Sequence, residues 1–382
     1  MAMAAARRRL RLLGDHVRPE RRPATAGAAA ASSGEIRGHV EFVEANGVSL
    51  CCHIYRPASS DREPVPVLLA YTPYRQPPLT NDGREAAHSD RQSMTSQIEP
   101  LVRAGFASVV FDVRGTGNSS GHSSMIYSEE EQSDGYAMIE WASRQPWSTG
   151  AVGVWGISFG GSVALQQARR RHPALKAILV RSGTDNNYTE WTNPGGTPRP
   201  YQYTVCKCSS SLCAFFQDKR PQTSGCTDSP TMASANFAPP DPSEVGARWA
   251  DIWEERLEHS RPWGLSFLEN RLDGEFWRSR SLPYEDAATL DCAVYVIGGW
   301  NDWYPTPLLR AFSRVRHSRK QALIGPWSHD FPNSSVPGPR IDFTHEAAKF
   351  FGRHLRGDAE AEPEPAVTVF FREFTAPASF RL

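Results

Sequence analysis

Gly156-Ile157-Ser158-Phe159-Gly160-Gly161 lies between an apolar run, Val152 to Trp155, and a stretch of helical periodicity from Phe159 to Arg171. A G-x-S-x-G pattern in that position is a nucleophile elbow. The turn from strand to helix is strained and the following helix passes close by, so small residues flank the serine and its hydroxyl projects above the sheet. The start of the helix adds backbone N–H groups and the positive end of a dipole where an oxyanion would form. The backbone N–H of Phe159, the residue after the nucleophile, is the oxyanion donor this geometry implies. The same letters can also be a glycine-rich turn around an unremarkable serine, so the context outward from the elbow decides.

That context alternates strands with helices. Val40 to Arg56 reads as a hairpin turning at Asn46-Gly47. Apolar strand runs follow at Val65 to Tyr71, Ser108 to Val113, Val152 to Trp155 and Ala174 to Val180, with helical patterns at Ser96 to Ala104 and Glu131 to Arg144. This order implies an α/β-hydrolase fold, a mostly parallel sheet with helices on both faces. Beyond Asp185 the composition shifts to Pro, Ser, Cys and Trp, with amphipathic helical signals at Glu244 to Glu258 and Trp263 to Arg271. It reads as an inserted, mainly helical lid over residues 186–288. Sheet pattern returns at Ala293 to Gly298 and Ala322 to Gly325, with helices at Pro307 to Val315 and Phe343 to Leu355. The hydrolase core is therefore expected over 35–185 and 289–357, preceded by a disordered or transit-like extension at 1–34 and followed by a short segment, 358–382.

A serine nucleophile needs a base, and in this fold the partners follow in the order Ser, acid, His. Asp302 stands in Gly298-Gly299-Trp300-Asn301-Asp302-Trp303, and His329 in Gly325-Pro326-Trp327-Ser328-His329-Asp330, each just past an apolar strand. Loops at the C-terminal ends of parallel strands face the elbow. Ser158, Asp302 and His329 are thus the expected nucleophile, orienting acid and general base. Asp330 is too near His329 in sequence to orient it, and Asp291 precedes its strand. Trp155, Trp300, Trp303 and Trp327 crowd the same sequence neighbourhoods and are expected to line a substrate pocket.

Composition excludes other classes. Lys plus Arg and Asp plus Glu both number 42, so no net field draws the protein to nucleic acid or an anionic membrane. A small-molecule ester or amide, or a short peptide, is the expected substrate. No apolar run reaches the roughly 18 residues of a transmembrane helix. The seven cysteines, an odd and scattered set, do not form a disulfide framework and favour a reducing compartment. Cys206, Cys208 and Cys213 lack a second Cys pair or a nearby His, so they read as free thiols in a loop and not as a metal knuckle. A cytoplasmic location is expected. The alternative is an organelle reached through residues 1–34, which carry seven Arg against two acids. Neither metal nor organic cofactor is expected, because triad chemistry needs none.

With these residues assembled, the chain resembles the CocE/NonD hydrolases, the group that includes cocaine esterase, X-Pro dipeptidyl-peptidases and α-amino acid ester hydrolases. The resemblance runs from about Ile36 to Gly357. It rests on Tyr71-Thr72-Pro73-Tyr74-Arg75, Asp112-Val113-Arg114-Gly115, Gln145-Pro146-Trp147, the elbow, the Asp302 and His329 loops, and Phe351-Gly352-Arg353-His354-Leu355-Arg356-Gly357. It implies a second oxyanion donor, the hydroxyl of Tyr74, which the residues alone would assign to a structural loop aromatic. Members of this group usually carry a C-terminal jelly-roll domain. Residues 358–382 resemble only its beginning, so a catalytically impaired fragment or a binding protein that keeps the hydrolase fold is the alternative function. Esterase and dipeptidyl-peptidase chemistry differ in whether a carboxylate grips the substrate's free amine. Asp185, Glu254 and Glu255 are the candidates for that grip, although solvated helix charges are the simpler reading of all three.

Overall fold

Runs of apolar residues that cannot be satisfied on one face only are forced into the middle of a sheet covered on both sides. Val65–Thr72 (β4), Ala107–Asp112 (β5), Leu175–Arg181 (β7) and Ala293–Gly299 (β8) are such runs, buried over nearly their whole length. The structure, a computed structural model, describes residues 10–12, 34–73, 94–198, 239–260, 263–316, 319–358 and 365–371. The remaining strands are Leu10–Leu12 (β1), Ile36–Ala45 (β2), Val48–Pro57 (β3), Ser148–Ile157 (β6), Lys320–Gly325 (β9) and Val367–Val369 (β10). They join in one sheet of order β1-β10-β9-β8-β7-β6-β4-β5-β3-β2. Every pairing from β1 to β5 is parallel, and the pairings of β3 with β5 and of β2 with β3 are antiparallel. The β2–β3 hairpin turns at Asn46 and Gly47, with φ of 48° and 77°, the two left-handed positions a tight two-residue turn demands.

Glu129–Ser143 (α2), Phe159–Arg170 (α3) and Pro305–Arg314 (α6) cover one face of the sheet. Met138, Ile139, Val163, Leu165 and Leu308 lie there in one apolar cluster with Val67, Val109 and Val294. Thr95–Arg103 (α1) and Phe343–Phe351 (α7) cover the other, where Leu101, Phe343 and Phe350 pack with Leu68, Val110 and Leu179. The expected α/β-hydrolase fold is the observed one. Between β7 and β8 the described residues contain helices and no strand, chiefly Trp249–His259 (α4) and Trp263–Glu269 (α5).

Two observations differ from the sequence reading. Leu10–Leu12, within the N-terminal extension, forms an outer strand against β10. Val367–Val369, in the segment likened to the start of a further domain, pairs in parallel with β9 and so extends the central sheet. A three-residue apolar stretch carries too little periodicity to declare its partner, which tertiary pairing alone supplies. No helix among the described residues is long and apolar enough to cross a membrane.

The entry to α2 couples the fold to pH. Ser128 caps the helix by accepting from Glu131 N at 3.3 Å, and the Glu131 carboxyl reaches back to Tyr127 N at 2.6 Å, a capping box displaced by one residue. Burial pushes the Glu131 carboxyl up from 4.5 to about 8 despite that bond. The folded chain therefore holds this proton to about pH 8, whereas the unfolded chain releases it near 4.5. The contribution to stability is full below that lower value and is lost as pH rises through the upper one. Thermal unfolding followed from pH 6 to 9 is expected to show a smaller decline in Tm for Glu131→Gln than for wild type. An equal decline in both would assign the pH dependence to other groups.

Candidate active site

β6 runs directly into α3 with a single residue, Ser158, making the turn at φ 59° and ψ −113°. A positive φ at a residue with a Cβ is strained, so neighbouring packing must hold it there. The neighbours are close. A Cβ on Gly156 would sit 2.6 Å from the backbone of Gly160, which is why the strand must end in glycine before the helix can fold back over it. Ser158 N donates to the carbonyl of Arg181 on the adjacent β7 at 2.9 Å. The serine is left partly exposed at the C-terminal edge of the sheet, while Phe159 to Ala168 behind it are buried. The Phe159 ring stacks on Tyr127 with centroids 4.6 Å apart, which immobilises the residue whose N–H begins the helix.

Asp302 and His329 occupy the loops after β8 and β9, at the same edge. Trp300 N donates to Gly325 O at 2.9 Å and Asn301 N to Trp327 O at 3.1 Å, binding one loop to the other. Gly299 permits this approach, since a Cβ there would lie 2.0 Å from Trp327 O. The result is a hydrogen bond of 2.9 Å between His329 Nδ1 and Asp302 Oδ1. The Asp302 side chain is fully enclosed and that of His329 is 26% exposed, so the imidazole keeps one side toward solvent. Burial opposes the charge on Asp302, but the hydrogen bond and positive charge of His329, together with Arg181 and Ser182, outweigh it and hold the carboxyl below its usual range. Asp330, the rival acid, is occupied with Phe331 N at 2.7 Å and Ser334 Oγ at 2.8 Å. Asp291 is exposed at the start of its strand.

The four tryptophans separate into two kinds. Trp303 is 62% exposed and stacks on the His329 ring with centroids 5.8 Å apart, and Trp300, partly exposed, donates its indole N–H to Phe370 O at 2.7 Å. Trp155 and Trp327 are fully buried in the core. Trp155 packs beside Phe331 and Phe343, and Trp327 donates to Pro339 O at 2.8 Å. Expected in the pocket, these two are corrected to core residues. Proximity in sequence to a site residue says nothing of which face of a strand or loop a side chain takes. Tyr74 lies outside the described residues, as do Cys206, Cys208, Cys213 and Cys226.

Two residues at this edge carried no mark in the sequence reading. Arg181 and Ser182 end β7 beneath the Asp302 carboxylate, and both reach its Oδ2, Arg181 Nη1 at 3.3 Å and Ser182 Oγ by a short hydrogen bond. The available signal was an arginine closing an otherwise apolar strand run, at the strand end that faces the elbow. Elsewhere, Asp185, one of the carboxylates considered for substrate binding, is sealed against Arg310 and Arg314. Glu190 shares Arg310 at 2.7 Å, Glu255 lies 3.5 Å from His122, and Glu254 is exposed on α4.

A second group of chemistry-bearing side chains lies beneath the loop after β5. Buried Cys51, His53 and Asp112 bring a thiol, an imidazole and a carboxylate within 4.8 Å of one another. Burial, reinforced by the charge of Asp112, holds the Cys51 thiol protonated, and burial lowers His53 to about 4. Asp112 Oδ2 accepts from Asn118 N at 2.8 Å. A soft divalent ion could bind there only by displacing the thiol proton.

Comparison with known proteins bears on the family and the fold. The X-Pro dipeptidyl-peptidase (S15) family model matches residues 46–330. A cocaine esterase of Rhodococcus sp. (strain MB1 Bresler) is 28% identical over 336 residues, covering 83% of this chain and 54% of the esterase. A CocE/NonD family hydrolase from Staphylococcus aureus superposes with a TM-score of 0.57 at 18% identity, covering 88% of this chain and 56% of that one. An α-amino acid ester hydrolase superposes with a TM-score of 0.58 at 20% identity, covering 92% of this chain and 60% of that one. The chain spans about half the length of the curated relatives it matches. The solved structures bear on the fold alone.

The elbow packing is testable by itself. Gly156→Ala is expected to cost about 1–3 kcal/mol, the usual range for overpacking. Gly160→Ala, whose Cβ would meet only Tyr71 O at 3.5 Å, should leave Tm near the wild-type value. Thermal unfolding of the two variants side by side checks the contrast, and equal losses would refute it.

Proposed function

The chain belongs to the X-Pro dipeptidyl-peptidase (S15) family, and on that ground we propose that it is a serine hydrolase cleaving an ester or amide through an acyl-enzyme. The observation that carries the reading is Ser158 held at positive φ between β6 and α3, on the same sheet edge as the 2.9 Å His329–Asp302 hydrogen bond. Ser158 Oγ attacks the acyl carbonyl as His329 Nε2 takes its proton. His329 then delivers that proton to the leaving oxygen or nitrogen, and the acyl group remains on Ser158. Water, deprotonated by the same imidazole, releases the acid product and returns the proton to Ser158. Asp302 keeps the Nδ1–H tautomer, so that Nε2 is the basic nitrogen, and stabilises the imidazolium while it lasts. The N–H of Phe159 receives the oxyanion at the helix start. The Tyr74 hydroxyl, implied by the family resemblance, is the proposed second donor.

Esters, or amides without a free α-amine, are the favoured substrates within this reading. A dipeptidyl-peptidase requires an uncommitted carboxylate for the amine. Of the carboxylates considered, Asp185 is closed off by two arginines and Glu255 lies 3.5 Å from His122, which leaves Glu254, exposed on α4, as the candidate for that duty among the described residues.

Fluorophosphonate labelling of the purified chain beside Ser158→Ala, with p-nitrophenol release from a short-chain ester, tests the reading. Label and turnover are expected in wild type and neither in the variant. A folded wild-type chain that takes no label would refute the proposal. Asp302→Asn is expected to lower kcat by about 10³–10⁴-fold with a smaller effect on KM, because the imidazole tautomer is lost while binding is kept. In a substrate comparison, p-nitrophenyl esters should give a higher kcat/KM than X-Pro p-nitroanilides. The reverse order would overturn the ester preference and make Glu254 the first carboxylate to test for the amine.

A further inference from the structure

Arg181 is buried completely, yet it is not paired with a single acid in the ordinary way. Its guanidinium donates in five directions. Nε donates to Asp330 O at 2.9 Å, and Nη2 to Ser328 O at 2.7 Å and also to Asp330 O. Nη1 reaches Asp302 Oδ2 at 3.3 Å, Ser182 Oγ by a short hydrogen bond, and Ile297 O at 3.4 Å. The two carbonyls it grips, Ser328 and Asp330, stand on either side of His329. Its own backbone carbonyl accepts the N–H of Ser158. One residue thus touches the nucleophile's backbone, the acid's carboxylate and the carbonyls of the two residues that flank the base.

We propose that Arg181 is a positioning residue that holds the Ser158, Asp302 and His329 loops in one register and moderates the charge of Asp302. The inference rests on the triad reading given above. A planar fork with fixed donor directions can join a carboxylate to two carbonyls in a way that an ammonium cannot. With Oδ2 occupied by Arg181 and Ser182, the carboxylate cannot rotate, and Oδ1 stays directed at His329 Nδ1. Ser182, itself at φ 51°, is bent under the carboxylate by the hydrogen bond from its N–H to Ile297 O. Burial pulls Arg181 down to about 10, so it remains a cation at neutral pH. A fixed cation beside Asp302 shares the carboxylate's field with His329. An acid paired with the imidazole alone would favour the charged form of the ring, which cannot act as a base.

Among the described residues, His329 faces Asp302 and the Trp303 and Tyr304 rings, with Arg181 behind the acid, while the Asp330 carboxylate turns to Phe331 and Ser334. The decisive measurement is therefore the titration midpoint of the His329 imidazole by NMR. It is assigned by its loss in His329→Gln and recorded for wild type, Arg181→Met and Arg181→Lys, with kcat and KM on a p-nitrophenyl ester. Arg181→Met removes the cation, so the midpoint and the acid limb of kcat/KM should move up by about one pH unit. Its kcat should fall by about 100-fold with KM little changed, as for a small misplacement of reacting groups. Arg181→Lys keeps the charge and loses the fork, so its midpoint should stay near wild type while kcat falls by about 10-fold or more. An unchanged midpoint in folded Arg181→Met, or a wild-type kcat in Arg181→Lys, overturns the inference. If Arg181→Met does not fold, the kcat of Arg181→Lys decides. Absence of label and turnover in wild type would sink the hydrolase reading instead, and the midpoint shift would still judge Arg181.

Discussion

At Ser158 the chain leaves a central strand and enters a helix within one residue, in a conformation that a side-chain-bearing residue ordinarily avoids. That strained turn can exist only if β6, α3 and β7 are in near contact, and the rest of the site follows from meeting that condition. Gly156 admits the helix, and the Arg181 carbonyl holds the Ser158 N–H. The ten residues from Phe159 to Ala168 are buried to press α3 onto the sheet. Parallel pairing then does the rest of the positioning. Because β6, β7, β8 and β9 all run the same way, the loops after each emerge at one edge, and residues more than a hundred positions apart meet there.

Beneath that edge lies an enclosed cluster of charge. Asp302 and Arg181 are both enclosed, and continuum reasoning warns that such a pair gains little stability over well-packed apolar residues. Its retention makes physical sense where direction counts for more than energy. Each donor of the guanidinium and each oxygen of the carboxylate has a partner, so neither group can turn without breaking several bonds. The imidazole above is more open and is flanked by Trp303 and Tyr304, which limit its tilt.

The inserted segment and its first residues are fastened to this frame by arginines. Arg256 on α4 is nearly fully buried and donates to the carbonyls of Thr116 and Gly117 at 3.1 Å each, and to that of Ser119. A helix of the insertion is thereby tied to the loop after β5. Arg310 and Arg314 on α6 close over Asp185, the residue at which the chain leaves the core. A buried guanidinium can satisfy several carbonyls at once, which suits irregular loops whose backbone acceptors no strand or helix can pair.

The amino-acid sequence by itself determined the sheet and the order of the site, because both depend on local patterns. Continuous apolar runs declare buried strands, Asn46-Gly47 declares a hairpin, and the glycines around Ser158 declare a tight turn before a helix is seen. Asp302 and His329 were legible because each follows a strand in a fold whose strand ends share an edge. Tertiary structure alone decided which side chains face that edge. Trp155 and Trp327 have the same sequence proximity to the site as Trp303, yet packing turned the first two into the core and left the third against His329. Arg181 stayed unmarked for a related reason. A lone arginine at a strand end reads as a solvated charge, and its partners Ser328 and Asp330 lie almost 150 residues away. Local pattern reports the periodicity of burial, whereas the identity of a buried polar group's partners depends on contacts between distant segments that only the assembled fold creates.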